Sequence, residues 1–196
     1  MTGLPVYILA GGKSSRFGSD KARAVLEGQP LILRLAQALK PWAQRLTVIA
    51  DQPGKYDDLG LTTIADRTPG LGPLGGVWTA LLDAQQHQPH QPCWTLVAPC
   101  DLLIIKPAWV EVLLAHRQAD AEAVAFGDGR WQPLPGLYHT ALARRIQQQI
   151  ERGELALHRL LDESRAVAAP LPADWPTLFQ ANTPQDLARY RSDASP

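Results

Sequence analysis

The sequence predicts an α/β fold: a single Rossmann-like doubly wound domain over residues 1–196, with a mainly parallel sheet and helices on both faces. Three observations carry this expectation. Short continuous apolar runs, such as Val6 to Ala10 and Leu46 to Ala50, have the character of strands buried on both sides. They alternate with segments of helical apolar period, the pattern of crossover units and parallel pairing. Several runs also end in a glycine pair or an aspartate (Gly11-Gly12, Asp51, Asp66, Asp101), and ligands of such sheets collect at the carboxyl ends of strands.

Val6 to Ala10 is the first strand, and Gly11-Gly12 turns the chain sharply after it. Ala24 to Gln29 ends in a turn at Glu27-Gly28-Gln29. Pro30 suits the first position of a helix with Leu31, Leu35 and Leu39 on one face, stopped by Pro41. Leu46 to Ala50 and Leu61 to Ala65 are the second and third strands. The stretch Arg67 to Gly76 reads as a glycine loop before a helix from Val77 to about Gln86. Gly70, Gly72 and Gly75 match a dinucleotide fingerprint, but Pro73 interrupts it and several residues separate it from the preceding strand. Gln85 to Pro92 is an exposed loop whose His87 and His90 lack further metal ligands nearby.

Trp94 to Ala98 is the next buried strand, ending in Pro99-Cys100-Asp101. A helix from about Pro107 to Gln118 and an Ala/Val strand from Glu122 to Phe126 follow. Gly127 to Arg130 is a turn, and Trp131 to Tyr138 leads into a helix from about Thr140 to Glu151. A shorter helix spans Ala156 to Glu163, with brief strands at Ala166 to Ala169 and Thr177 to Gln180. The last helix follows Asn182: Thr183 caps it, Pro184 suits its first turn, and Asp186 completes a capping box.

With 45% apolar and 19% charged residues, the chain is an ordinary globular one with enough length for a full core. Nineteen basic and nineteen acidic side chains cancel, which argues against extended contact with nucleic acid or anionic membrane. Cys93 and Cys100 would lie roughly 23 Å apart on an extended strand, beyond disulfide reach. Unpaired thiols and the lack of a signal-like N-terminus or a spanning apolar stretch lead to the expectation of a cytoplasmic protein.

Chemistry concentrates after the first strand, where Lys13, Arg16, Lys21 and Arg23 crowd with only Asp20 to oppose them. A glycine-rich strand end with backbone donors and cations suits a polyphosphate. It is not a P-loop, because the glycine that motif requires is replaced by Tyr7. Nor is it a dinucleotide fingerprint, because Lys13 stands where its second glycine belongs. Asp101 is the best metal candidate, since Mg²⁺ takes one or two carboxylates plus substrate phosphates. Lys21 acts as a point charge on phosphate and Arg16 as a forked donor, both offsetting charge on the departing phosphates.

These residues carry a resemblance. Leu9-Ala-Gly-Gly-Lys-Ser-Ser-Arg-Phe-Gly18 with Asp20-Lys21 resembles the signature loop of the molybdenum cofactor guanylyltransferases, a branch of the nucleotidyltransferases. Gly72-Pro-Leu-Gly75, Pro99-Cys-Asp101 and Asn182-Thr-Pro184 are similar to that family's later motifs, in the same order. The resemblance implies GMP transfer from GTP to the phosphate of molybdopterin, with release of pyrophosphate and Mg²⁺ as cofactor. It implies that Leu9, Ala10, Gly11, Gly12 and Lys13 approach the nucleotide, with Lys21 on its phosphates, Asp66 on guanine and Asp101 on Mg²⁺. Asp51 stands where the family often has asparagine, and Leu102-Leu103 where a Thr/Ser-Pro-like pair is usual. Gly75 and Asn182 join the binding set, and Asn182 with Gln132-Pro-Leu134 are the acceptor-side candidates. Implied partners include molybdenum-insertion proteins and molybdoenzyme chaperones. Alternatives are a CTP-dependent molybdopterin cytidylyltransferase, a sugar-phosphate nucleotidylyltransferase, or a non-enzymatic nucleotide-binding regulator or cofactor carrier.

Overall fold

In a computed structural model of the chain, the described residues are 3–11, 20–89, 91–176 and 180–193. The first strand, β1 (Leu4–Leu9), is apolar on both sides because both sides are covered. A two-residue ribbon follows, β2 (Val25–Leu26) against β3 (Gln29–Pro30), closed by Glu27 and Gly28 at φ 49° and 80°. Paired positive φ values are the turn that fits the twist of a tight hairpin. Pro30 caps helix α1 (Leu31–Leu39) from just outside rather than occupying its first position.

The chain then runs through β4 (Ala43–Ala50), β5 (Thr63–Ala65), α2 (Gly72–His87), β6 (Trp94–Pro99) and α3 (Pro107–Ala115). After these come β7 (Ala123–Gly127), β8 (Trp131–His139), α4 (Ala143–Glu151), α5 (Leu157–Asp162), β9 (Ala166–Ala169) and α6 (Pro184–Asp193). The main sheet has the order β5-β4-β1-β6-β8-β7-β9. All neighbours are parallel except β8, which is antiparallel to both β6 and β7. The mainly parallel, doubly covered sheet is the fold expected from sequence.

Alternation along β1 divides the core. Val6 and Ile8 meet Ile32, Leu35 and Leu39 of α1 and Trp109 and Val110 of α3 on one face. Tyr7 and Leu9 meet Leu74, Val77 and Leu81 of α2 and Ile146 of α4 on the other. Each fully buried Leu or Ile contributes about 1.5–3 kcal/mol. A third, smaller cluster joins Leu26, Leu31, Leu103, Ala181 and Leu187, tying the hairpin, the segment after β6 and α6 together.

Two elements differ from the sequence expectation. Helix α2 begins at Gly72, five residues before Val77, so Gly75 and Gly76 are buried helical residues and not a loop. Pro73 sits in the first turn, where its missing N–H costs nothing. The segment read only as a lead-in to a helix is the nine-residue strand β8. Its prolines obscure the pattern, yet Pro133 and Pro135 lie in a bulge: Gln132 pairs with Phe126 and Gly136 with Ala125, leaving the residues between outside the ladder. Of the expected strand at residues 177–180, positions 177–179 lie outside the described residues. Gln180 forms an isolated bridge to Leu102.

Candidate active site

Backbone pairing at the carboxyl edge of the sheet gathers the chemistry. Ala10 N–H donates to Ile49 O at 2.8 Å, Cys100 N–H to Leu9 O at 2.9 Å, and Asp66 N–H to Ala50 O at 2.7 Å. The ends of β1, β4, β5 and β6 therefore open side by side. Ala181 N–H donates to Asp101 O at 2.9 Å, which carries the approach to α6 to the same edge.

Lys21 begins a single 3₁₀ turn, Lys21–Arg23, whose N-terminal side is capped by the Asp20 carboxylate accepting from Ala22 N–H at 3.1 Å. Its ammonium donates to Asp101 Oδ2 at 2.6 Å and to Asn182 Oδ1 at 3.3 Å. Three segments remote in sequence thus meet on one cation. Lys21 and Asp101 side chains are 17% and 14% exposed, so the pair is largely shielded yet still open to solvent. Asp101 Oδ1 is buried and has no hydrogen-bond partner among the described residues. An orphaned carboxylate oxygen at a strand end fits a hard cation or a ligand donor. Among the described residues, no group of three His, Cys, Asp or Glu side chains could hold a metal alone. One carboxylate supplemented by substrate phosphates is the arrangement Mg²⁺ ordinarily accepts.

Asp66 lies beside Gly11: a Cβ added to Gly11 would sit 3.9 Å from Asp66 Oδ2. Its Oδ1 accepts from Thr68 N–H at 3.0 Å and Thr79 Oγ1 at 2.9 Å, which fixes the carboxylate. Asp51, exposed at the end of β4, is held by Lys55 Nζ at 2.7 Å, and that contact keeps its carboxyl below the usual range. Gly75 faces protein: an added Cβ would lie 2.7 Å from Thr68 Oγ1 and 3.0 Å from Leu71 Cβ. Likewise a Cβ on Gly76 would meet Leu9 side-chain carbons at 3.0 and 3.1 Å. These glycines seat α2 against the strand carrying Leu9. The expected Gly12, Lys13 and Arg16 lie outside the described residues.

Sequence reasoning missed Lys55 and Tyr56. The buried Tyr56 hydroxyl donates to Asp20 at 3.0 Å, and Lys55 Nζ stands 3.5 Å from the same carboxylate. Arg23 binds Asp58 at 2.7 Å and Lys55 O at 2.8 Å, and lies 5.3 Å from the Tyr56 ring centre. The group braces Asp20 and so the turn that presents Lys21. Only an aromatic inside a polar loop at a strand end hinted at it.

The sequence model of the MobA-like NTP transferase domain matches residues 6–169, from β1 through β9. The chain belongs to this family. Among relatives of the MobA-like chain, a Deinococcus radiodurans protein named a probable molybdenum cofactor guanylyltransferase is 37% identical, covering 96% of this chain and 94% of its own. The molybdenum cofactor guanylyltransferase of Ectopseudomonas mendocina is 32% identical over 93% of this chain and 89% of its own. In structure, molybdopterin-guanine dinucleotide biosynthesis protein A from Archaeoglobus fulgidus superposes with a TM-score of 0.78 at 23% identity, covering 97% and 98% of the two chains. The fold is therefore that of a nucleotidyltransferase. No helix among the described residues is long and apolar enough to cross a membrane.

Proposed function

We propose that this nucleotidyltransferase moves GMP from GTP onto the phosphate of molybdopterin, forming the guanine dinucleotide cofactor and releasing pyrophosphate. The observation that carries the reading is the convergence of Asp101 and Asn182 on the Lys21 ammonium. Names of the relatives support the same substrates.

A phosphate oxygen of the acceptor attacks the α-phosphorus of GTP. As that bond forms, the bond to the β-phosphate bridging oxygen breaks, and pyrophosphate leaves with the electron pair. A phosphate monoester with its second pKa near 6 is already ionised at neutral pH, so no general base is needed. Lys21 would exchange its contact with Asp101 for the departing phosphates. A Mg²⁺ ion held by Asp101 and the triphosphate would supply further charge neutralisation. Asp66, with Oδ2 free of hydrogen bonds among the described residues, suits the N1–H and N2–H₂ donors of guanine. Cytosine offers only its exocyclic amino group there.

The test is to incubate the protein with Mg²⁺, molybdopterin and α-labelled GTP or CTP. Label entering the pterin product from GTP, one per pyrophosphate released, is expected. Label entering only from CTP would contradict the guanine assignment, and none from either would contradict the transferase reading.

A further inference from the structure

A cavity of about 570 Å³ opens at the carboxyl end of β7, lined by Gly127, Arg130, Trp131, His158, Asp162 and Ala168 among others. Because β7 runs parallel to β6 across β8, it shares the edge of the sheet that carries Asp101. Two strand spacings put it roughly 10 Å to the side of β6. Asp66 and Gly11 lie on the other side of Lys21, toward β4 and β5. One side therefore serves the nucleotide base, and the cavity lies where the remainder of an acceptor would extend.

Its chemistry is specific. The Trp131 indole N–H donates to Asp162 Oδ1 at 2.7 Å, which fixes the ring as a wall. Asp162 Oδ2 keeps its acceptor capacity, and the Arg130 guanidinium has no ion pair or hydrogen bond among the described residues. Gly127 lies among the lining residues: an added Cβ would stand 3.3 Å from Arg130 O, 3.6 Å from the Trp131 ring and 3.7 Å from Ala168 Cβ, so a larger side chain there would crowd the cavity. A flat wall, an acceptor and a donor match a heterocycle with adjacent N–H donors and a carbonyl oxygen on one edge. We propose that this cavity binds the 2-amino-4-oxo edge of the acceptor's pterin, with Asp162 accepting from its amidine-like donors, Arg130 donating to its carbonyl oxygen and Trp131 stacking on its face. The assignment rests on the transferase reading above for the identity of the acceptor.

The probe is 6-hydroxymethylpterin, followed by its own fluorescence, with GTP binding measured in parallel by thermal shift. Asp162→Asn keeps an oxygen for the Trp131 N–H but removes the carboxylate, and Gly127→Val crowds the cavity. Both are expected to weaken pterin binding about tenfold or more and to raise the KM for molybdopterin, with GTP binding unchanged. Unchanged GTP binding also shows that each variant is folded. Equal pterin binding by wild type and variants overturns the proposal, as does a wild type that binds no pterin. Parallel loss of GTP binding overturns it too, because guanine presents a similar edge and would then be the occupant. Failure of the wild type to release pyrophosphate from GTP and molybdopterin would instead strike the transferase reading.

Discussion

Among the described residues, the Lys21 ammonium donates to an acid and an amide that belong to other segments, which would hold it in place for the phosphates of the proposed reaction. Its reach depends on Asp20, and Asp20 depends on the Tyr56 hydroxyl as well as on Ala22 N–H. Tyr56→Phe removes one charge-assisted hydrogen bond and is expected to lower kcat about tenfold, with the KM for GTP little changed. Steady-state kinetics check this, and an unaltered kcat would show that Asp20 holds the turn without Tyr56. Lys21 and Asp101 were legible in the sequence because Lys21 belongs to the cation-rich stretch after the first apolar run and Asp101 follows the run of β6; the structure brings the two side chains together. Lys55 and Tyr56 were not legible, because their contacts to Asp20 exist only after the loop following β4 folds over the 3₁₀ turn.

At the level of elements, the glycines at the start of α2 are a packing device. Gly75→Ala gains about 1 kcal/mol of helix propensity but places a Cβ 2.7 Å from Thr68 Oγ1 and 3.2 Å from Thr68 O. Overpacking of this kind costs typically 1–3 kcal/mol, so a net loss of stability of about 1 kcal/mol is expected. Thr68 N–H also holds Asp66, so the KM for GTP should rise as well. Denaturant melts and kinetics on the one variant check both effects, and a more stable protein with normal KM would contradict them. The true start of α2 escaped the sequence because glycine and proline usually signal a loop, whereas here tertiary contact with Leu9 and Thr68 selects them inside a helix. Strand β8 escaped for a related reason, its prolines being harmless only within the bulge. The capping box at α6 was legible because it is local: Asp186 N–H donates to Thr183 Oγ1 at 3.2 Å, and Asp186 Oδ2 accepts from Thr183 N–H at 2.7 Å.

For the molecule as a whole, the small cluster of Leu26, Leu31, Leu103, Ala181 and Leu187 joins the hairpin, the segment after β6 and α6, each of which follows a site residue in the chain. Folding also buries groups that must stay neutral. Burial, with the Asp101 charge adding, pushes the Cys100 thiol from its ordinary 9.0 up to about 12. Burial likewise raises the Tyr7, Tyr56 and Tyr138 phenols. A raised pKa in the folded state means the unfolded chain releases its proton first. The associated stability is therefore complete below the ordinary thiol value and declines as pH rises toward about 12. Each such group steepens the loss by up to roughly 1.4 kcal/mol per pH unit. Denaturant midpoints should fall above about pH 9, less steeply in Cys100→Ser, and a flat alkaline profile would contradict this. In the proposed reaction Lys21 and Asp101 together form the transfer centre. Its most direct test is pyrophosphate release from GTP, Mg²⁺ and molybdopterin by wild type, Lys21→Ala and Asp101→Asn, each first shown to be folded. Turnover in the wild type and a loss of about 10² or more in both variants is the predicted result; a folded Asp101→Asn protein with wild-type turnover would contradict it.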